Sequence, residues 1–103
     1  MVNIIIYLKK GHDPKELVKY LITEKLIASA SIDENNISYE LVDAVVSEVM
    51  CSVITSQSKA LLFNQIVKAV EEKIGEGTPI NSTPIIGSNK IFDHIIRTRT
   101  IQV

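Results

Sequence analysis

Apolar and polar positions alternate along this chain with two different periods, and the change of period marks its elements. Val2 to Leu8 is a compact, β-branched apolar run, which suits a central strand buried on both faces. Lys9-Lys10-Gly11-His12 reads as a loop. Asp13-Pro14 then opens a helix: the carboxylate can cap the first turn, and proline has its φ preset for the first helical position. Leu17, Val18, Leu21 and Ile22 give this helix an apolar stripe that runs to about Lys25. From Leu26 to Thr55 helix punctuation vanishes and β-formers collect. Ile27 to Ile32 alternates large and small side chains, Ile37 to Val42 is rich in Ile, Tyr, Leu and Val, and Ala44 to Thr55 carries Val45, Val46, Val49, Met50, Val53 and Ile54. The stretch predicts a long antiparallel ribbon. The polar cluster Asp33-Glu34-Asn35-Asn36 is expected to interrupt its first arm. Its turn is expected near Asp43 to Glu48, although no Asn-Gly or Asp-Gly marks the place.

Beyond the ribbon, Ser56 to Ser58 offer capping hydroxyls to a second helix. Leu62, Ile66, Ala69, Val70 and Ile74 recur there at helical spacing, and Gly75 and Gly77 end it. Pro79 to Ile86 predicts a strand whose two prolines lack amide protons, so it belongs at a sheet edge. Ser88-Asn89 caps a short last helix carrying Ile91, Phe92, Ile95 and Ile96, and the tail Arg97 to Val103 is expected to add a small terminal strand. The order β-α-β-β-α-β with a short appended helix predicts an α+β, ferredoxin-like sandwich. One antiparallel sheet carries two helices on one face, in a single domain spanning residues 1–103.

Composition narrows the function classes. The hydrophobic fraction of 46% suits a folded domain with one core. Eleven basic residues against twelve acidic ones leave a net charge of −1, which gives no electrostatic reason to expect nucleic acid as a partner. No apolar run approaches the roughly 20 residues that cross a bilayer, so no membrane partner is expected. Val2 to Leu8 is short and is followed, not preceded, by lysines, which is not the pattern of a signal peptide. With a single cysteine no internal disulfide can form, and a reducing, cytoplasmic setting is the expectation.

Candidate chemistry is sparse. The soft or borderline metal ligands are His12, His94, Met50 and Cys51, and no two of them share ligand-motif spacing within one element. Met50 and Cys51, adjacent in a strand, point to opposite faces, and Cys51 reads as a small buried hydrophobe. Asp33 and Glu34 read as a solvated bend in preference to a hard-cation site. No serine lies in a nucleophile elbow, and Gly75-Glu76-Gly77 follows a helix instead of opening one, so it is no phosphate loop. Lys9, Lys10 and Gly11 stand where an acylphosphatase-like protein of the same architecture would place an arginine cradle, and they could hold only a loosely bound anion. No catalytic residues and no certain cofactor are assigned, and the protein is expected not to be an enzyme.

One family resemblance spans almost the whole chain. Leu21-Ile22-Thr23-Glu24-Lys25-Leu26-Ile27-Ala28-Ser29-Ala30-Ser31 resembles the L-L-E-E-R/K-L-A-A-C-V-N signature of the CutA divalent-cation-tolerance proteins. Val53-Ile54-Thr55-Ser56 leading to Leu62-Phe63 is similar to that family's I-I-K-T…L-F step from strand to helix. Pro79 and Pro84-Ile85 parallel its V-P-E-I-I-A-L-P-I strand, and Asp93-His94-Ile95-Ile96-Arg97 stands where it has L-D-W-I. The resemblance implies a homotrimer of ferredoxin-like subunits, with β-ribbons reaching from one subunit onto the next and a role in tolerance of copper and other divalent metals. A ribbon richer in apolar side chains than one small sheet can cover points to the same assembly.

The sequence also departs from the family. Its signature Cys falls on Ser29 and its Asn on Ser31, the ribbon lacks its tryptophan pair, and its H-P-Y-E is replaced by Gly75-Glu76-Gly77-Thr78. A metal site depending on that Cys or His is therefore not expected. Three-fold symmetry could still multiply one side chain about an axis, so His12, Glu76 and His94 are kept as candidate ligands for a weakly bound divalent metal such as copper. The alternative reading is a trimeric signal-transduction module binding a small ligand in clefts between subunits. A long loop between the second and third strands would favour it, and that connection looks short here.

Overall fold

The computed structural model describes residues Met1–Val103. Strand β1 (Val2–Lys9) sits at the centre of a four-stranded antiparallel sheet of order β2-β3-β1-β4. β2 (Ser29–Val42) and β4 (Ile80–Pro84) are its edges, and β3 (Val45–Ser58) pairs with both β2 and β1. Helices α1 (Pro14–Thr23) and α2 (Phe63–Ile74) cover one face, and α3 (Lys90–Arg99) follows the last strand. The ferredoxin-like sandwich with an appended helix is therefore the architecture observed.

Alternation along β1 builds the core. Val2, Ile4, Ile6 and Leu8 are buried beneath the helices, where they meet Leu17, Leu21, Ile66, Val70 and, from β3, Ile54. The Asp13 carboxylate accepts the Lys15 N–H at 2.9 Å, as the capping motif requires, and Pro14 occupies the first turn. β4 carries Pro84 at an edge, where a missing amide proton leaves no ladder bond unmade.

Two expectations are corrected. Ser56 to Ser58 do not cap α2. They lie in β3, where buried Ser56 and Ser58 donate to the carbonyls of Ile4 and Leu26, and α2 follows a turn of 3-10 helix at Ala60–Leu62. Pairing with β1 down to Val2 gives those residues a full ladder, and that outweighs a local cap. The tail forms no strand: α3 runs to Arg99, Thr100 turns its hydroxyl back to the Ile96 carbonyl, and the Ile101 N–H is taken by the Lys25 carbonyl at 2.9 Å. The Asp33–Asn36 cluster interrupts the regular ladder of β2 where expected, without ending the strand. Asp33 pairs with Val53 and Asn36 with Cys51, so two residues, Glu34 and Asn35, stand opposite Ser52 alone. The extra residue is accommodated as a β-bulge, with the Asp33 carboxylate accepting the Asn35 N–H at 3.2 Å.

The ribbon turn is a two-residue connection at Asp43-Ala44, at the near end of the expected window. Both residues have positive φ, +49° and +64°, the signature of a type I′ hairpin, although neither is glycine.

Candidate functional site

β1 ends its pairing with β3 at Lys9–Cys51, and beyond that point Ile37–Met50 is a ribbon of two strands only. Side-chain parity decides what this ribbon presents. On β3 the even residues Ile54 and Ser52 face the helix layer, and Met50, Glu48 and Val46 continue that face outward. On β2, Ile32 opposite Ile54 shares it, but the bulge shifts parity by one. Ile37, Tyr39 and Leu41 therefore join Met50, Glu48 and Val46 on one side. Unbroken alternation from Ile32 would place them on the opposite face. The result is an apolar stripe lying wholly outside the core, with Tyr39 69%, Leu41 72% and Val46 71% exposed. Within it the Tyr39 hydroxyl donates to the Glu48 carboxylate at 2.9 Å.

The sheet face away from the helices is also uncovered. A polar ladder crosses three strands there: Ser29 donates to Gln57 Oε1 at 2.7 Å, and Gln57 Nε2 donates to Asn3 Oδ1 at 3.0 Å. Beside it, at the root of the ribbon, a shallow groove of about 260 Å³ is lined by Tyr7, Lys9, Ser38, Glu40, Val49, Cys51 and Pro79. Cys51 is buried, as expected, with Asn36 Nδ2 at 3.5 Å and Ser38 Oγ at 3.8 Å from its sulfur, and Met50 lies on the other face.

The metal candidates are not brought together. His12 lies in the loop before α1, Glu76 in the loop after α2, and His94 on the exposed side of α3. No group of three or more His, Cys, Asp or Glu side chains has the geometry to hold a metal ion within one subunit. Asp33 is engaged in the bulge, and Lys10 reaches the Glu34 carbonyl at 3.4 Å, away from any anion cradle. The periodicity of the sequence shows the ribbon's apolar content. It cannot show which face that content shares, because the bulge alone sets the phase.

This is a ferredoxin-like domain with a projecting two-stranded ribbon, and solved structures of the same form exist. CutA1 from Oryza sativa superposes with a TM-score of 0.91 at 16% identity, over 99% of this chain and 94% of that one. The divalent cation tolerance protein CutA1 from Thermus thermophilus matches with a TM-score of 0.87 at 19% identity, over 97% and 99% of the two chains. The periplasmic divalent cation tolerance protein CutA from Archaeoglobus fulgidus gives 0.85 at 19%, over 96% and 98%. No family model and no curated protein sequence matches the chain. The fold, ribbon and third helix included, is that of the CutA1 proteins.

Proposed function

We propose that this chain is a divergent CutA protein: a non-enzymatic, cytoplasmic homotrimer that contributes to tolerance of divalent metal ions such as copper. The observation that carries the proposal is the likeness to CutA1 structures over 97–99% of this chain and 94–99% of theirs. Supporting it, the outer ribbon exposes an apolar stripe that a lone subunit has no means to cover. The two-residue turn between β2 and β3 favours this reading over a signal-transduction module with a long ligand-gripping loop at that position.

Metal affinity within one subunit is weak on this reading, because tight transition-metal sites want three or four preorganised ligands and none are assembled. Two measurements test the proposal. Light scattering across dilution should return the mass of three subunits, and a monodisperse monomer at all concentrations would refute the trimer. Calorimetric titration with copper should give weak binding that His12→Ala combined with His94→Ala abolishes. A tight, stoichiometric site surviving both substitutions would place the ligands elsewhere, at carboxylates gathered between subunits.

A further inference from the structure

The bulge in β2 also decides what the other side of the ribbon carries. Past Asn36, Ser38 and Glu40 turn to the open sheet face, where Tyr7 and Lys9 of β1 and Val49 and Cys51 of β3 already lie. Unbroken alternation from Ile32 would bring Ile37, Tyr39 and Leu41 to that face instead. The groove of about 260 Å³ at the ribbon's root is formed by this exchange, and its lining holds one ammonium and one carboxylate.

Lys9 and Glu40 are the only charged residues of that lining, and they do not pair: the single ion pair of the molecule joins Arg97 to Asp93 on α3. Register explains the separation. Lys9 stands opposite Cys51 and Glu40 opposite Ser47, four residues further along β3 and two strands across. That is about 13 Å along the strands and about 9.5 Å across them, too far for direct contact between the two charges. Two long side chains bordering one groove from such a distance leave a gap of small-molecule size between their charged ends. The remaining lining fixes the character of what fills it. Val49 and Pro79 are apolar, Tyr7 and Ser38 carry hydroxyls, and buried Cys51 closes the floor. The Tyr7 N–H donates to the Pro79 carbonyl at 3.0 Å and so ties that wall to β1. The volume lies below the roughly 300–1,000 Å³ of drug-sized pockets and suits a molecule no larger than an amino acid. A simple anion there leaves Glu40 unpaired and a simple cation leaves Lys9 unpaired, whereas a zwitterion matches both. Every lining residue belongs to one chain, so the groove is complete without a second copy.

We propose that this groove binds a free α-amino acid with a small apolar side chain, its carboxylate on Lys9, its ammonium on Glu40 and its side chain against Val49 and Pro79. The site goes beyond the metal-tolerance reading and does not depend on it.

Calorimetric titration of the full chain with leucine tests the site. Isocaproate and isoamylamine keep the leucine side chain and one charge each, and both should bind about tenfold or more weakly than leucine. Lys9→Met and Glu40→Gln should each weaken leucine by a similar factor while light scattering returns the wild-type mass. Glu40→Gln should spare isocaproate, and Lys9→Met should spare isoamylamine, a split that a merely structural role would not produce. The analogue comparison needs no substitution, so it decides even where a variant misfolds. Leucine binding no tighter than the singly charged analogues, or unaltered by both substitutions, overturns the proposal. So does the absence of heat, and of amide shift changes at Tyr7 and Glu40, up to the solubility limit of leucine.

Discussion

The inner and outer halves of the β2-β3 ribbon are built from similar residues and differ in almost every physical respect. From Cys51 to Ser58, β3 is flanked by β1 and β2, roofed by helices, and buries Ile54, Ser56 and Ser58 completely. From Val45 to Met50 the same strand has one neighbour, no roof, and exposes Val45, Val46 and Met50. β-propensity is comparable in the two halves, so it cannot be what holds the outer one in place. A two-stranded hairpin alone is marginal in water. The comparison teaches that hydrophobic strand content is not the same thing as core: the outer half carries its apolar side chains where nothing in the chain buries them.

Charging the outer stripe should break the comparison most severely. Leu41 and Val46 are cross-strand partners on that stripe, and Leu41→Asp with Val46→Asp replaces both with carboxylates. Each apolar side chain is worth about 1.5–3 kcal/mol when buried, so assembly should weaken by two orders of magnitude or more while the subunit stays folded. Deleting Asn35 is the matched control. It makes the ladder regular yet leaves Ile37 opposite Met50, so the stripe keeps its face and assembly should persist. Light scattering on both variants reads the difference, and unchanged assembly in the doubly charged one would show that the stripe is not the contact surface.

Next in size are truncations on either side of the boundary. Ile6→Ala or Ile54→Ala, both fully buried, should each cost about 2–5 kcal/mol in denaturant unfolding of the isolated subunit. Leu41→Ala should leave that unfolding nearly unaltered at low concentration and shift only the concentration dependence of stability. Equal losses at Leu41 and Ile54 under dilute conditions would mean that the outer ribbon is already covered within one chain.

A smaller effect sharpens the outer half itself. Ala44 holds φ at +64°, a region that disfavours side chains with a Cβ by about 1–2 kcal/mol. Ala44→Gly creates the Asp-Gly pair preferred in type I′ turns and should stabilise the hairpin by about 0.5–1 kcal/mol net. Thermal unfolding reads this directly, and a lowered midpoint would argue against a strained turn.

The smallest effect is expected at Cys51, which marks the border between the halves. It lies buried, with Asn36 and Ser38 as its polar neighbours, and its small side chain fills space at the root of the ribbon. Cys51→Ala should leave assembly intact. Rapid alkylation of the native thiol at neutral pH is the result that contradicts its placement.

Much of the fold is legible in the residues themselves. The β-branched run Val2–Leu8 announces a central strand, Asp13-Pro14 a helix start, Gly75 a helix end, and the paired prolines an edge strand, because each rests on local sterics or on a period the chain itself carries. Other features depend on partners distant in sequence. Ser56 and Ser58 have the chemistry of helix caps, but their carbonyl acceptors belong to Ile4 and Leu26, and sheet pairing claims them. The tail has strand-like alternation, but α3 extends through Arg97–Arg99 and the Lys25 carbonyl then captures Ile101. The candidate ligands His12, Glu76 and His94 are visible as residue types, yet only the fold shows that three separate elements hold them apart.

The cluster at Asp33–Asn36 shows the division most clearly. By itself the sequence determined a ribbon rich in apolar residues, with a polar interruption at a known place. Only the tertiary structure decided that the interruption is one inserted residue within a continuous ladder. A strand's side chains have a period of two, so a single extra residue reverses the face that simple alternation assigns to every later one. That phase is fixed by pairing with β3, and with it the one surface on which Ile37, Tyr39, Leu41, Val46 and Met50 come together.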